Sequence, residues 1–218
     1  MQVLETNNKS KQIFWKVQDR HYLSLWDKRD LPNVQKWQER IRKRNIENEQ
    51  ITKDFFNLLD RKWNDHTNNL AIEPLDLGII DDVLTFKGIG KMMRLVTLQD
   101  TTTFKHVAVG TGAPFSVNPM PFDNELVNEQ NHVDVLTNGF FDATGTSLRY
   151  GGTFGAEMPT DTYNESLLRS HQNASDAGMI ALCIAYFLDN PISHTQGNTG
   201  FTAAGTIELN VISDLTEV

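Results

Sequence analysis

Glycine is confined to the later part of the chain. None of the 14 glycines among the 218 residues lies before Gly78, and the segments after it contain Gly-Thr, Gly-Gly and Asn-Gly pairs, which are typical of turns between short strands. The four tryptophans show the opposite distribution, because all of them lie at or before Trp63. This asymmetry predicts a mainly β protein, in which a helical, Trp-rich arm over residues 1–69 precedes a β-rich body over residues 70–218.

Charge divides the chain at nearly the same place. Residues 1–66 hold 14 Lys and Arg against 10 acidic residues, a net charge of +4, whereas residues 67–218 hold 6 against 18, a net charge of −12. The whole chain carries −8, and because domains that bind nucleic acid are usually basic, we expect nucleic acid to be an unlikely partner. The two parts are complementary in charge, which favours docking of an arm from one copy on the body of another.

Two segments of the predicted arm have apolar residues at helical spacing, over residues 33–44 and 51–63. Residues 11–27 fit either a helix or an extended segment. An apolar helix stripe needs a partner surface, and the body, another copy of the chain and a different protein all remain open. The residues predicted to contact an oligomer partner or another protein are Trp15, Trp26, Trp37, Ile41, Phe55, Leu58 and Trp63.

Several short apolar or alternating segments predict strands in the body. They are residues 83–86, 93–98, 102–109, 133–136, 139–143, 147–154 and 206–212. The apolar run at 177–188 suits a helix or a buried central strand, and we favour the strand. Short strands separated by Gly and Asn turns predict a β-sandwich or barrel-like body.

Residue patterns that carry chemistry are sparse. The six histidines are scattered, without the spacing of a helical zinc site, and the single Cys183 lies in an apolar run, where we expect a small buried residue rather than a reactive thiolate. His132 with Asp134 and Asp161 with Glu165 are weak candidate pairs. We therefore expect no enzyme, no metal and no cofactor. The apolar stretches are also too short for a membrane helix, so we expect no membrane partner.

One segment resembles a known sequence pattern. Residues 106–129, HVAVGTGAPFSVNPMPFDNELVNE, resemble a stretch that recurs in structural proteins of tailed bacteriophages and archaeal tailed viruses, where a strand ends at Gly-Thr-Gly, a small residue and Pro follow, and an Asp precedes a Leu and a Glu. The matching positions are Gly110, Thr111, Gly112, Ala113, Pro114, Asp123, Leu126 and Glu129. A Gly-rich return strand, a segment with Glu165, an apolar strand and a closing alternating strand follow in the same order, which extends the resemblance over about 106–212. The chain departs from the pattern in having Ser166-Leu167 after Glu165 instead of Ala-Gly.

The resemblance implies a non-enzymatic virion structural protein. Such a protein assembles with itself as a trimer or larger ring, and links or decorates other virion proteins of the head, tail, baseplate or fibre. The resemblance also implies a structural turn built by Gly110, Gly112, Pro114 and Asp123, with no catalytic residues to transfer. The start of the chain lacks the layout of a secretory signal, so we expect synthesis in the host cytoplasm and incorporation into the virion.

An alternative function stays open beside assembly. Viral β-sandwiches also serve as host-receptor or carbohydrate-binding modules, whose sites use exposed aromatic side chains beside Asn and Asp. The loop candidates for such a site are Tyr150, Tyr163, Asn164 and Phe201.

Overall fold

The protein is mainly β. The computed structural model describes residues 12–43, 73–81, 83–112, 118–144 and 147–214. The strands are β1 (Gln12–Asp27), β2 (Asp76–Asp81), β3 (Val83–Leu84), β4 (His106–Gly110), β5 (Glu129–Asp134), β6 (Gly139–Thr144), β7 (Ser147–Phe154), β8 (Asp161–Tyr163), β9 (Glu165–Arg169), β10 (Ala181–Tyr186), β11 (Ile192–His194) and β12 (Thr199–Asp214). The helices are α1 (Leu31–Lys43), α2 (Phe86–Val96) and the single turn α3 (Val135–Asn138).

Two five-stranded sheets enclose a common hydrophobic core. The first sheet has the order β2-β1-β12-β7-β6 and the second β3-β10-β9-β4-β5, while β8 and β11 form a small separate pair. All their pairings are antiparallel. Leu23 and Phe201 of the first sheet belong to the same buried cluster as Val107 and Leu168 of the second. The chain therefore buries one face of each sheet against the other, as alternating strands do.

Strand β1 corrects the prediction of an N-terminal helical arm. It pairs with β12 in an unbroken register from Gln12 opposite Asp214 to Asp27 opposite Thr199, and with β2 on its other side. The extended alternative for this segment is the one observed, and residues 12–27 belong to the sheet of the body. Residues 21–26 are buried on both faces of the strand, with polar His21 and Ser24 among apolar neighbours, so the segment lacks the simple alternation that would have identified a strand.

Helix α1 follows the helical prediction and covers the outer face of the first sheet. Leu31, Val34 and Trp37 are buried, and a Cβ on Gly200 would lie 2.4 Å from Leu31 Cδ1, so the helix packs closely on β12. Trp37 is 3 % exposed and Trp26 is 0 % exposed. These two predicted contact residues therefore pack inside their own chain, because they are buried between the first sheet and α1.

Two of the other predicted arm contacts lie on described elements, and three lie outside the described residues. Trp15 lies on β1 and Ile41 on α1. Phe55, Leu58 and Trp63 lie outside the described residues, and their contact role stays a prediction.

The strand predicted at residues 93–98 is wrong, because residues 93–96 belong to α2 and residues 97–98 form the turn that ends it. Thr85 caps the helix, since its Oγ1 accepts a hydrogen bond from Gly88 N at 2.8 Å and donates one to Ala181 O at 2.5 Å. A Cβ on Gly88 would lie 2.6 Å from Leu182 Cα, so glycine lets the helix approach β10 closely. The strand favoured within 177–188 is confirmed as β10, which lies between β3 and β9.

Candidate functional site

The outer face of the second sheet carries a group of charged and titratable side chains from β4, β5 and β9. Register places Glu165 opposite Gly110, and His106 opposite Arg169 on one side and Asp134 on the other. Val107, Val109 and Leu168, which alternate with these residues along β4 and β9, belong to the shared core, so these groups point away from it.

The Gly-Thr-Gly turn holds a carboxylate of the chain itself. Glu165 is 0 % exposed, and its carboxylate accepts hydrogen bonds from the backbone N–H of Val127 at 2.6 Å, of Asn128 at 3.2 Å and of Gly112. Backbone N–H groups in a glycine turn commonly bind a phosphate or another anion. Here the bound anion is internal, which makes the turn a structural device.

The two glycines are required by the closeness of this turn. A Cβ on Gly110 would lie 2.6 Å from Asn128 O, and one on Gly112 would lie 2.7 Å from Glu165 Oε1. Thr111 N donates to Asn128 O at 3.1 Å, and Asn128 Nδ2 donates to Thr111 Oγ1 at 2.9 Å. Residues 110–112 and 127–128 are therefore joined into one unit around the Glu165 carboxylate.

The remaining residues of the turn pattern lie in the loop that follows. Asp123 closes a turn, because its Oδ2 accepts a hydrogen bond from Met120 N at 2.8 Å and its own N donates to Met120 O at 2.9 Å. Leu126 is buried in a cluster with Leu167 and Tyr186 on the outer face of the second sheet. Pro114 lies outside the described residues. Burial raises the pKa of Tyr186 to about 12, and the carboxylates of Asp123 and Glu165 add to the shift.

A second cluster surrounds a buried arginine. Arg169 is 0 % exposed, and its guanidinium donates to both carboxylate oxygens of Glu129, with 2.7 Å from Nη2 to Oε1, and to the carbonyl of Gln172. Glu129 Oε1 also lies 3.1 Å from His132 Nδ1. A two-point arginine clamp of this kind fixes the orientation of the carboxylate.

A shallow pocket of about 420 Å³ opens beside this cluster. Glu129, Asn131, His132, Asn173 and Ser175 line it. These side chains offer hydrogen-bond donors and acceptors beside apolar surface, so the pocket presents groups that can bind a hydroxyl-rich ligand.

The residues of the candidate pair, His132 and Asp134, both lie on β5. His132 contacts Glu129, and Asp134 lies opposite His106 in the β4–β5 register. Burial lowers the pKa of His106, although the charge of Asp134 opposes that shift. His106 is therefore held toward its neutral form.

Sequence reasoning missed a polar cluster inside the core. Cys183 Sγ lies 3.1 Å from Tyr150 Oη and 3.3 Å from His21 Nε2, and the Tyr150 hydroxyl also contacts His21 Nε2. An imidazole beside a thiol can generate a reactive thiolate, but all three residues are 0 % exposed, which shields the thiol from a substrate. Cys183 is buried as expected, and no local signal pointed to partners 162 and 33 residues away.

The predicted aromatic ligand contacts are wrong. Tyr150, Tyr163 and Phe201 are each 0 % exposed, because their strands place them in the interior, and Asn164 between β8 and β9 is 4 % exposed. The candidate carboxylate pair Asp161 and Glu165 has two different environments, because Asp161 is exposed on β8 while Glu165 is enclosed by backbone amides.

Helix α2 presents a row of large apolar side chains to solvent. Phe86 is 66 % exposed, Ile89 40 %, Met93 62 % and Val96 80 %, and Leu98 just after the helix is 87 % exposed. The intervals of three and four residues place the first four on one side of the helix. We call these five residues the α2 face. Contiguous exposed apolar surface of this kind marks an interaction site.

The end of α2 has a costly backbone conformation. Gln99 N donates to Arg94 O at 2.8 Å and Leu98 N to Leu95 O at 3.2 Å, which is the Schellman arrangement in which glycine usually occupies the left-handed position. Here Leu98 occupies it, with φ of 56°, a conformation that costs an L-residue about 1–2 kcal/mol. An exposed leucine thus occupies a position where glycine would make the folded protein more stable.

The loop 118–127 lies against the beginning of the α2 face. Phe86 N donates to Pro121 O at 2.7 Å, which brings the neighbouring Met120 and Phe122 to the first turn of the helix. These two side chains are 47 % and 69 % exposed. The apolar surface therefore extends from α2 onto this loop.

A metal site and a membrane-spanning helix are both absent from the residues that the structure describes. Within them, no three His, Cys, Asp or Glu side chains are arranged to hold a metal ion, and no helix of that part of the chain is long and apolar enough to cross a membrane. The chain matches no protein-family model, no curated protein and no solved structure.

Proposed function

We propose that the protein is a non-enzymatic structural component of a virus particle, which assembles into a trimer or larger ring and links or decorates other particle proteins. The observation that carries the proposal is the exposed α2 face with its neighbouring loop. A protein that works alone rarely exposes this much contiguous apolar surface, whereas an assembling protein buries it on contact. The order of sequence segments over 106–212 supports assignment to a virion.

The exposed apolar surface is large enough for a specific contact. The seven side chains of the α2 face, Met120 and Phe122 are between 40 % and 87 % exposed. If a large apolar side chain offers about 150–200 Å² when fully exposed, they supply on the order of 700 Å². One partner in a standard protein interface contributes about 800 Å².

The groups that could carry catalysis support a structural role. The Glu165 carboxylate is bonded to backbone amides, and the Cys183 thiol is enclosed in the core. Two sheets packed on one core also support a β-sandwich, an architecture that serves many viral capsid proteins.

Light scattering on a sizing column tests the assembly part. The full-length protein is expected to elute with at least three times the chain mass of 24.7 kDa. A chain that stays monomeric at tens of micromolar would overturn this part of the proposal. An antiserum against the purified protein then tests the location: gold label is expected at a defined place on particles from cells that encode the protein, and unlabelled particles would refute a virion role.

The pocket beside Glu129 favours a second candidate function, a host-receptor or carbohydrate-binding module of a virion. The carboxylate is held in place by Arg169, and amide side chains lie on either side of the pocket. A glycan array is the direct test. Binding that is retained in the exposed control Gln99→Ala and lost in Asn131→Ala would support this function, and an empty array with the wild type would remove it.

A further inference from the structure

We propose that the α2 face is one half of a head-to-tail contact between copies of this chain, in which the apolar, positively charged α2 face of one copy docks on an acidic surface of the next. This inference rests on the proposed function, because it names the contact that would build the ring. It commits to a second copy as the occupant of the face.

The charge around the face selects an acidic partner. Three of the six basic residues within 67–218, Lys87, Lys91 and Arg94, lie on α2, and no acidic residue occurs from 83 to 99. Lys91 is 2 % exposed and donates to Asp100 Oδ2 at 2.7 Å. Lys87 and Arg94 are exposed and have no ion pair among the residues that the structure describes. The face therefore combines apolar side chains with two uncompensated positive charges.

The body of another copy offers the matching charge. Apart from the three residues on α2, residues 67–218 contain 3 basic and 18 acidic residues. With residues 1–66 included, another copy still carries a net charge of −8 and is thus an acidic partner. Opposite potentials on two surfaces guide their encounter and fix their orientation.

A pairing of two identical α2 faces is disfavoured by the same charges. In a two-fold contact the same patch meets itself, so Lys87 and Arg94 of both copies would crowd together. A closed ring of three or more copies instead uses a face and a different, complementary face. Charge and ring symmetry therefore lead to the same head-to-tail arrangement.

Leu98 supplies an independent observation. Its φ of 56° belongs to the region that favours glycine, and its side chain is 87 % exposed. Burial against another copy gives this leucine the apolar contact that it lacks within the chain. Replacement by glycine should therefore improve folding and weaken assembly, two effects that a purely structural residue would not combine.

The first experiment measures folding and association of the same variants. Leu98→Gly is expected to raise the urea midpoint of unfolding while raising the dissociation constant of the assembly at least tenfold, with Gln99→Ala as the matched control. Lys87→Glu with Arg94→Glu should also weaken association at low salt. Lys28→Glu should not, because Lys28 is exposed in the turn between β1 and α1 and is not part of α2. Variants that assemble like the wild type would overturn the inference and leave the proposed function standing.

A mixing experiment distinguishes the geometry of the contact. A variant with Met93→Asp and Leu98→Gly has lost the α2 face but keeps its acidic surface, so an excess of it should bind wild-type copies and reduce their assembled mass. A variant that stays out of mixed species would show a two-fold contact and refute the head-to-tail arrangement. A monomeric wild type would refute the ring itself, and its mass alone separates that result from the others.

Discussion

The buried carboxylate of Glu165 gives the sharpest prediction about stability. Three backbone N–H groups donate to it, from Gly112, Val127 and Asn128. A hydrogen bond to a charged group contributes about 1.5–3 kcal/mol. Glu165→Gln keeps one acceptor oxygen but turns an NH2 donor toward backbone donors, so we expect a loss of roughly 2–4 kcal/mol. Glu165→Ala removes every acceptor and should cost about 4 kcal/mol or more, a large share of a total of 5–15 kcal/mol.

Urea unfolding measures these losses directly, and Glu125→Gln is the matched control. Glu125 lies in the same loop and is exposed, so the same chemical change there should alter the unfolding free energy by no more than about 0.5 kcal/mol. If Glu165→Gln falls within that range as well, the carboxylate does not hold the turn and the reasoning is wrong.

A double-mutant cycle tests the contact itself. Gly112→Ala would place a Cβ 2.7 Å from Glu165 Oε1 and 2.6 Å from Asn128 Cβ, so we expect it to destabilise the protein by about 1–3 kcal/mol. Part of this cost should disappear when Glu165 is already alanine, because one of the clashing atoms is then gone. Two strictly additive losses would argue against direct coupling.

Three further outcomes follow from the structure. Burial lowers the pKa of His106 from its usual 6.5, so the unfolded chain binds the proton more readily than the folded one. The unfolding free energy should therefore fall as pH drops below about 6.5, with a slope of at most ~1.4 kcal/mol per pH unit for this group. His106→Gln should flatten that slope in a pH series of urea melts. The Cys183 thiol should react with a disulfide reagent at the rate of unfolding rather than at the rate of a free thiol, since it is 0 % exposed, and rapid reaction of native protein would contradict this. The fragment 67–218 should lack a cooperative unfolding transition by circular dichroism, because it removes the strand between β2 and β12, and a sharp transition would show that β1 is dispensable.

Local patterns predicted those elements that have a clear signature within their own segment. Strand β10 and helix α1 were found from the sequence, because an apolar run between polar residues and an apolar stripe each have a clear local signature. Strand β1 was left open because polar residues such as His21 and Ser24 interrupt its apolar segment, although both are buried. Helix α2 was read as strand because it carries apolar residues both toward the body and toward solvent, which erases the helical period.

The site was only partly predictable, for a different reason. The sequence pattern grouped Gly110, Gly112, Asp123 and Leu126, and it also included Glu165. The contact between Gly112 and Glu165 spans 53 residues, and the contact between His21 and Cys183 spans 162. Such contacts arise from strand order and register, which a local pattern does not contain.

Hydrogen bonds connect the turn around Glu165 to the α2 face through the loop 118–127. The carboxylate holds Val127 and Asn128 at one end of the loop, and Asn124 in its middle bonds to Met179 O at 3.1 Å and to Ala181 N at 2.9 Å.

At its other end the loop accepts the hydrogen bond from the first residue of α2, through Pro121 O. The turn thus fixes the loop, and the loop fixes where the α2 face begins. A buried Glu165→Gln change should therefore weaken association under conditions where the protein is still folded, although no atom of Glu165 is exposed. Residues 106–129 thus support the α2 face, which lies outside this segment, and add the exposed Met120 and Phe122 beside it.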